Sequence, residues 1–405
     1  MKYEYDLIVI GGGAAGFFAA IQVAERNPSL KIFILEKGKR YLDKVRISGG
    51  GRCNVTHACF DPAELTTYYP RGHKALLGPF HQFMTGDMIA WLEDHGVKTK
   101  IESDGRIFPV SNKSETIINC FLKICDQFGI EMITQSGVRD FTFANKRWAV
   151  YTDRQKYFAK NLFVATGSNT PFWNLLQKKG HQIVPPAPSL FTFRIKHPVI
   201  NGLPGIAVHN GSVKIIDSTY QSTGPILITH WGLSGPAILK LSAWGARHLA
   251  DLNYNFQIEI NWTDQSIAQI EKSFKTSRDT MGSKLVGRTP LFNIPKRLWA
   301  NIAGMAQIEE KKWASISNKE IDMLANLVTC SELSVHGKST FKDEFVTAGG
   351  IDLDEVDFKT MESKLLPNVF FGGEILDVDA VTGGFNFQAA WTTAWIAAKS
   401  IVAKC

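Results

Sequence analysis

Three glycines and one glutamate in the first 36 residues are spaced as in a dinucleotide-binding site. Gly11, Gly13 and Gly16 form a G-x-G-x-x-G pattern directly after the apolar run Leu7–Ile10. Glycines at these positions allow a tight turn and a close backbone approach to a pyrophosphate at the N-terminus of the following helix. Glu36 lies twenty residues after the last glycine, where a carboxylate can accept hydrogen bonds from both hydroxyls of an adenosine ribose. Because a 2′-phosphate would meet a like charge there, the pattern favours FAD or NAD over NADP.

The cysteines and the charge pattern argue against other kinds of site. The six cysteines include no C-x-x-C pair, which speaks against a dithiol redox centre or a zinc ribbon. Cys53, His57 and Cys59 match no common metal-site spacing, so we expect no metal. The formal net charge is +7, but the lysines and arginines are dispersed along the chain. This dispersion favours a solvated surface near an anionic cofactor over a nucleic-acid-binding face.

Length and hydropathy indicate a protein without membrane segments. A chain of 405 residues is long enough for roughly two to three domains and a large core. The apolar stretch from 7 to 24 is interrupted by three consecutive glycines and preceded by Glu4 and Asp6, so it is neither a membrane helix nor a signal peptide. We therefore expect a cytosolic, cytoplasmic protein.

Hydrophobic periodicity predicts the elements that position the glycine turn. The glycine-dense stretch from 44 to 57 predicts a loop, and a second turn is expected from 103 to 109. A β-meander is predicted from 131 to 152. The other predicted elements are strands at 7–10, 31–36 and 161–165 and helices at 17–26, 88–95 and 114–128.

The second half of the chain changes character twice. The prolines from 185 to 188 predict a rigid crossing and a domain boundary, and β-strands are predicted beyond it. Helix signals dominate from 263 to 329, including a capping box formed by Ser317 and Glu320 and a helix opened at Pro295. A final apolar helix is predicted from 387 to 402. The predicted domains are residues 1–188 with 341–405, a β-rich insertion of 189–262 with 330–340, and a helical subdomain of 263–329.

Four glycine-rich motifs, taken together and in order, resemble those of the BaiN/YhiN-type family of FAD-dependent oxidoreductases. They are Ile47–His57, Thr229–Ile238, Thr347–Ile351 and Val381–Gln388. The resemblance implies an α/β fold with a Rossmann-like FAD-binding domain of the glutathione-reductase type. It also implies an inserted β-rich domain and a helical subdomain. The family contains members that oxidise amines, such as the aminoacetone oxidase-like flavoproteins, and members that reduce conjugated steroid double bonds.

The resemblance also implies which residues hold FAD. Along the chain, they would contact first the pyrophosphate and the adenosine, then the ribityl chain and finally the flavin ring. At the flavin ring, backbone N–H groups at the start of the last helix can stabilise negative charge. The implied residues are Gly11, Gly13, Ala14, Ala15, Gly16, Glu36, Lys37, Gly49, Gly50, Gly51, Arg52, Cys53, Asn54, Val138, Thr166, Gly167, Gly373, Glu374, Asp377, Gly383, Gly384, Phe385 and Asn386. One departure is a short loop after Gly167, where many members carry a longer glycine-rich stretch.

Candidate catalytic groups are His57, Arg106 and His230, with Gln388 as a further polar candidate. His230 stands beside Trp231 in a glycine-rich motif, which favours a turn that faces the flavin, although a structural histidine is about as well supported. The chain has no second G-x-G-x-x-G pattern, so NAD(P)H would dock on the flavin without its own Rossmann unit. Otherwise electrons come from the substrate and pass to O2 or another acceptor.

The predicted function is an FAD-dependent oxidoreductase that acts on a small organic substrate. A flavin-dependent RNA-modifying enzyme and a non-catalytic flavin-binding protein are the alternatives. Nucleic-acid and membrane partners are not expected.

Overall fold

The computed structural model describes residues 4–339 and 346–405, and the chain divides into two compact units. The first unit is Met1–Ala187 with Val346–Cys405, and the second is Pro188–Phe345. The sequence prediction places the corresponding junctions after residue 188 and before residue 341, and the second of these lies outside the described residues. Of the helices in the described ranges, none is both long enough and apolar enough to cross a lipid bilayer.

The N-terminal part of the first unit alternates strands with helices. Its strands are β1 (Glu4–Ile10), β2 (Ile32–Leu35), β3 (Thr56–His57), β4 (Thr99–Ile101), β5 (Arg106–Pro109), β6 (Glu131–Ile133), β7 (Val138–Ala144), β8 (Arg147–Thr152), β9 (Lys156–Val164) and β10 (Ile183–Ser189). Its helices are α1 (Ala14–Arg26), α2 (Asp43–Gly51), α3 (Pro62–Thr66), α4 (His73–Phe80), α5 (Thr85–Asp94), α6 (Ser114–Gln127) and α7 (Thr170–Lys178).

The second unit begins with strands and then turns helical. Its strands are β11 (Thr192–Ile195), β12 (Ala207–Ile215), β13 (Gln221–Ile228), β14 (Gly232–Ser234), β15 (Asn255–Asn261) and β16 (Ser331–Ser339). Its helices are α8 (Pro236–Trp244), α9 (Ala246–Asp251), α10 (Ile267–Thr280), α11 (Lys296–Met305) and α12 (Asn318–Thr329).

The chain then returns to the first unit with short strands and one long helix. These elements are β17 (Val346–Ile351), β18 (Val356–Asp357), β19 (Glu362–Ser363), β20 (Val369–Phe371) and α13 (Phe385–Lys404).

The first unit is organised around a parallel sheet with β1 at its centre. The parallel strands lie in the order β20-β9-β1-β2-β6. Leu7, Ile8 and Val9 are fully buried, because a central parallel strand is covered on both faces. Helices α1 and α13 pack against each other, and Phe18 meets Trp391 edge to face at 5.5 Å between ring centroids. The carboxyl ends of the strands therefore share one edge of the sheet, where such folds bind their ligands.

The second unit is a closed six-stranded barrel with helices packed on it. The strand order is β11-β14-β13-β12-β15-β16. Its core also includes the three buried tryptophans Trp262, Trp299 and Trp313 together with apolar residues of α10, α11 and α12. The barrel and the helical segment thus share one hydrophobic core. The fold class predicted from the sequence, a Rossmann-like FAD domain with a β-rich insertion and a helical part, is confirmed.

Several local predictions were wrong for identifiable reasons. The stretch from 44 to 57 was predicted as a loop, but Asp43–Gly51 is helical up to a break at Ser48, with Val45 buried. The predicted turn from 103 to 109 ends as strand β5. Strand β6 pairs in parallel with β2, so the antiparallel meander consists of β7, β8 and β9. The prolines from 185 to 188 are not a free crossing, because they lie in β10, whose only partner strand in the described chain is β17, an edge position that tolerates missing N–H donors. The two compact units nevertheless divide between Ala187 and Pro188, inside this run.

Candidate functional site

The glycine turn between β1 and α1 is shaped by close backbone packing. Gly11 has φ of +113°, and a side chain there would overlap the carbonyl of Ala165 at the end of β9. A side chain at Gly16 would overlap the carbonyl of Gly11. Gly13 is the N-cap of α1, where no side chain of the described residues caps the helix and no described atom lies within 4 Å of the position that a Cβ would take. Ala14 starts the helix and Ala15 packs beside Gly373. The N-terminus of α1 therefore has open space at Gly13 and no capping side chain from the described residues.

Glu36 is held at the end of β2 by two backbone donors. The N–H of Gly12 donates to its Oε2 at 2.7 Å, and the N–H of Gly38 donates to its Oε1 at 2.5 Å. A carboxylate has about four acceptor positions, so each oxygen can accept another hydrogen bond. The Ser136 N–H donates to the backbone carbonyl of Glu36 at 2.8 Å, which brings the start of β7 beside this carboxylate.

Two other residues of the predicted adenosine site lie next to Glu36. Val138 is half-buried at the start of β7, two residues after Ser136. Lys37 is exposed, and its Cβ lies against Gly137. The predicted adenosine residues thus lie together at one edge of the sheet.

The end of α2, beyond its break at Ser48, contains three consecutive glycines in the left-handed region. Gly49, Gly50 and Gly51 have φ of +56°, +67° and +82°. No described atom lies within 4 Å of a Cβ built at Gly50 or Gly51, so this turn presents bare backbone. Burial raises the pKa of the Cys53 thiol to about 12, which keeps it protonated and inert as a nucleophile. Asn54 is buried, and its Oδ1 has no hydrogen-bond partner in the described part of the chain.

Arg52 is paired within the protein. Its guanidinium donates to Glu102 Oε1 at 2.6 Å and lies over the Phe108 ring at 3.9 Å from the centroid. This arrangement braces the turn against β5. The expected role of Arg52 beside the phosphates stays a prediction.

The end of β9 meets the C-terminal part of the unit through an ion pair. Lys44 and Glu374 form a salt bridge beside Gly167, and the carboxylate of Glu374 raises the pKa of Lys44. The Thr166 hydroxyl is buried without a hydrogen-bond partner among the described residues. Asp377 accepts a hydrogen bond from the Gly349 N–H at 2.8 Å. Three residues predicted to contact the cofactor, Thr166, Gly167 and Glu374, therefore lie together.

The turn before α13 depends on glycine backbone. Gly383 and Gly384 have φ of +133° and +96°, and a side chain at Gly384 would overlap the backbone of Thr56. Helix α13 begins at Phe385 without a capping side chain from the described residues. Asn386 uses both ends of its amide on Ala380, at 3.0 and 3.2 Å. The side chain of Asn386 thus braces the loop, and the N–H groups of the first helical turn are left for other partners.

His57 joins this turn to the small sheet formed by β3, β4 and β5. Its Nδ1 lies 3.1 Å from the carbonyl oxygen of Gly383, and its ring stacks on Phe385 at 4.5 Å. Burial lowers the pKa of His57. Arg106 is its register partner across β3 and β5, and its Nε donates to Asp104 Oδ2 at 2.7 Å. His57 and Arg106 are thus neighbours.

A buried ion pair that the sequence prediction missed braces the same loop. Arg71 donates to both carboxylate oxygens of Asp379, which is fully buried. Nearby, the Val381 N–H donates to the Tyr68 carbonyl at 3.0 Å, and the Tyr69 hydroxyl donates to the Phe385 carbonyl at 2.5 Å. No local sequence pattern signals this pair, because its members are 308 residues apart.

The two remaining polar candidates are Gln388 and His230. Gln388 is fully buried, where it accepts from the Thr56 hydroxyl at 2.7 Å and donates to Thr392 at 3.1 Å. This places Gln388 in the support of α13. His230 belongs to the second unit, in the turn between β13 and β14.

The residues of the first unit fit a bound dinucleotide. The turns at Gly13 and at Gly50 and Gly51 offer open backbone, and α1 and α13 both begin without a side-chain cap from the described chain. Buried oxygens of Asn54 and Thr166 have no partner within the described ranges. Such features suit a polar ligand with phosphate groups, since a helix N-terminus is an anion-binding site.

The described residues form no comparable site for a metal ion. Within 4–339 and 346–405, no three His, Cys, Asp or Glu side chains lie close enough together to bind one.

The fold and this edge of the sheet define a Rossmann-type flavoprotein of the FAD-dependent oxidoreductase class. The chain belongs to the family described as HI0933-like protein Rossmann domain, whose model matches residues 5–400. The predictions of family and of an FAD-dependent oxidoreductase are confirmed at the level of fold and family.

Known proteins similar to this chain include two full-length relatives and one solved structure. Ribosomal RNA dihydrouridine synthase of Haemophilus influenzae is 29% identical over 420 residues, covering 99% of each chain. The 3-dehydro-bile acid delta(4,6)-reductase of Clostridium scindens is 24% identical over 408 residues, covering 97% of this chain and 98% of the relative. The 3-ketosteroid-delta4-(5alpha)-dehydrogenase structure from Rhodococcus jostii RHA1 superposes with a TM-score of 0.54 at 12% identity, covering 99% and 97%. At that identity the structural likeness shows the fold alone.

Proposed function

We propose that the protein is an FAD-dependent reductase that adds hydrogen across a carbon–carbon double bond conjugated to a carbonyl. The observation that carries this proposal is that two full-length relatives with unlike substrates share this reaction type. Forming dihydrouridine saturates the C5=C6 bond of uracil, which is conjugated to the C4 carbonyl. The bile-acid reductase acts on double bonds conjugated to a 3-oxo group. The common chemistry is therefore independent of the substrate's size.

Two substrate classes follow from these relatives. Uridine in ribosomal RNA is favoured by the higher identity of the Haemophilus influenzae relative, at 29% over 99% of each chain. A small conjugated ketone is the second candidate, favoured by the Clostridium scindens relative. We rank uridine first, because the relative named for it is the more similar of the two in sequence.

The first unit supplies the groups that would hold FAD. The open N-terminus of α1 would bind the pyrophosphate, and Glu36, fixed by two N–H donors, would accept from the adenosine ribose. The unpaired oxygens of Asn54 and Thr166 would bond to hydroxyl or N–H groups of the cofactor. When bound, FAD supplies the hydride that reduces the substrate double bond.

The start of α13 would provide the electrostatics of the flavin end. Its first N–H groups carry the positive end of a 20-residue helix, which favours negative charge beside it. We assign His57 a positioning role, because its Nδ1 bonds to Gly383 and a Cβ at Gly105 would lie 2.5 Å from its Nε2. Arg106 and His230 remain the candidates for proton exchange with the substrate.

NAD(P)H is the proposed reductant. The sequence contains one G-x-G-x-x-G pattern, and FAD would fill it. Because no second nucleotide-binding unit of this kind is left for it, NAD(P)H would bind transiently at the flavin.

Two anaerobic reactions test this function with the purified flavoprotein. In one, the protein is mixed with NADPH or NADH and a transcript of ribosomal RNA, and dihydrouridine is measured by mass spectrometry of nucleosides. In the other, the RNA is replaced by a 3-oxo-4,6-diene steroid, and loss of the dienone absorbance is followed. Formation of one saturated bond per NAD(P)H consumed in either reaction supports the proposal. Flavin reduction by amines, with neither product formed, would show an oxidase instead.

A further inference from the structure

A tryptophan in the second unit is held in an exposed position by its own backbone. Trp231 lies in the turn between β13 and β14 and is 53% exposed. The N–H of Ile195 donates to the Trp231 carbonyl at 3.0 Å, and the Thr229 N–H donates to the Gly232 carbonyl at 2.8 Å. The turn is thus tied to strand β11 and closed on itself. A large indole is presented to solvent on a fixed support, which is unusual for a residue with no task at the surface.

Two basic residues, one in β11 and one directly after it, lie next to this turn. Arg194 is exposed and is the register partner of Gly232, the residue after Trp231. On the β16 side its Cδ lies 3.9 Å from the Cβ position of Gly337. Because Gly232 and Gly337 have no side chains, the aliphatic part of the Arg194 side chain has no neighbouring side chain at either position. Lys196, the residue directly after β11, is also exposed.

The adjoining loop brings in a further cation from α11. The Gly205 N–H donates to the Ile228 carbonyl at 2.9 Å, which fixes the loop from 198 to 206 beside the end of β13. Arg297, exposed in the first turn of α11, donates to the Gly202 carbonyl in that loop. Asn301 donates to the carbonyls of three residues of the same loop. The loop is therefore bonded both to the end of β13, which leads into the turn at Trp231, and to α11.

Acidic residues are scarce in the segments that build this surface. From Pro188 to Ala250 the sequence contains one acidic residue, Asp217, and five lysines and arginines. From Thr280 to Ile308 it contains no aspartate or glutamate, but Lys284, Arg288, Lys296 and Arg297. A cationic surface around an exposed aromatic ring is the usual footprint of single-stranded nucleic acid binding, in which bases stack and phosphates pair with cations.

We propose that this surface, the Trp231 patch of Arg194, Lys196, Trp231 and Arg297, binds a single-stranded segment of RNA. The Trp231 indole stacks on one base, and the cations contact flanking phosphates. This inference rests on the proposed function with uridine in RNA as the substrate. It adds the surface that holds the nucleic acid outside the reacting base.

RNA affinity of the FAD-loaded protein tests the patch. A fluorescently labelled single-stranded ribosomal RNA fragment is titrated with wild type, W231A, W231F and the double variant R194Q/K196Q at several salt concentrations. Because one stacked base contributes about 1–3 kcal/mol, W231A should weaken binding roughly tenfold, and W231F should restore most of it. R194Q/K196Q should lower the slope of log Kd against log salt by roughly 0.7 for each lost phosphate contact. The matched control is K275Q/K319Q, which removes two exposed charges from α10 and α12 of the same unit.

The outcomes separate the patch from the function it serves. A circular dichroism spectrum and a thermal unfolding midpoint equal to those of wild type show that each variant keeps its fold. If wild type forms dihydrouridine and the patch variants bind RNA and turn over as the control does, the patch inference is wrong and the proposed function stands. If wild type binds no RNA and W231A changes only the KM for the steroid dienone, the patch serves a small substrate, and both RNA binding and the uridine substrate are rejected.

Discussion

Arg71 and Asp379 form a buried ion pair that closes the loop before α13 against a segment from the start of the chain. The two residues also form an isolated antiparallel bridge, so backbone and side chains meet at the same place. Gly383 and Gly384 follow within five residues of Asp379. The pair therefore sets the position of a turn that is proposed to contact the flavin.

Replacing Arg71 by methionine should destabilise the first unit strongly. The substitution leaves the Asp379 carboxylate buried without its arginine, and breaking a buried pair costs about 3–5 kcal/mol. The thermal unfolding midpoint, followed by circular dichroism, should drop by several degrees or more. The double variant R71M/D379L removes both charges and should recover much of that loss. A single variant as stable as wild type would show that the pair contributes nothing to folding.

Replacing Glu36 by arginine should weaken FAD binding. The change removes the carboxylate that Gly12 and Gly38 hold, together with the proposed acceptor for the ribose. Charged hydrogen bonds are worth about 1.5–3 kcal/mol, so the Kd should rise roughly tenfold or more. Titration of the deflavinated protein with FAD, followed by flavin fluorescence, measures this. Glu93→Arg on the exposed face of α5 is the control, and equal Kd values for the two variants would remove Glu36 from the cofactor site.

Alanine at Gly384 should prevent normal FAD binding, whereas alanine at Gly86 should not. Gly384 has φ of +96° and lies against the Thr56 backbone, so a Cβ would force the turn apart. Gly86 lies inside α5 with no described atom within 4 Å of its Cβ position, and alanine there should stabilise the helix by about 0.5–1 kcal/mol. The flavin-to-protein absorbance ratio after purification compares the two. Full flavin content in G384A would contradict the assigned role of this turn.

His57 should make the protein less stable in mild acid. Burial lowers its pKa in the folded state, so the unfolded chain binds the proton more readily. Stability from this group is therefore present above its ordinary pKa near 6.5 and is lost as the pH falls through that value. Between pH 7.5 and 5, the midpoint of thermal unfolding should fall more steeply for wild type than for H57Q. The control is H81Q, which replaces an exposed histidine. Parallel plots of the unfolding midpoint against pH for wild type and H57Q would contradict the expectation.

Flavin reduction by NADH and NADPH should saturate only at high nucleotide concentration, with little preference between them. The chain offers one G-x-G-x-x-G unit, and FAD would occupy it, so the reductant lacks a dedicated fold. Anaerobic stopped-flow spectroscopy at the flavin absorbance band gives the two apparent Kd values. Tight binding of one coenzyme with strong discrimination against the other would contradict this prediction.

The parts of the fold that follow from local sequence could be predicted. The run from Leu7 to Glu36 contains strand, turn, helix and strand within thirty residues, and each has its own signal in periodicity or glycine spacing. The capping box of Ser317 and Glu320 is also local, and α12 begins there as predicted. Local rules suffice where the partners are neighbours in the chain.

Long-range pairings could not be predicted in the same way. The pairing of the Arg52 guanidinium with Glu102, fifty residues away, has no local signal in the sequence. The expected role of Arg52 beside the phosphates stays a prediction. Gln388 is predicted as a polar group at the flavin, but the tertiary fold buries it against Thr56. The cationic surface near Trp231 was also missed, because cations that are dispersed in the sequence come together only when the barrel closes. A long stretch almost without acidic residues was the one signal available.

The order of segments along the chain has a consequence for synthesis. The first unit needs β20 and α13 to cover β9 and α1, but the whole barrel is translated before them. The barrel is continuous in sequence and can fold as soon as it leaves the ribosome, whereas the nucleotide-binding sheet waits with an open edge and an uncovered helix. Nascent chains of this protein therefore pass through a stage in which the inserted unit is complete and the unit that surrounds it in sequence is not. Chaperones that recognise apolar surface have their longest access to the protein at that stage.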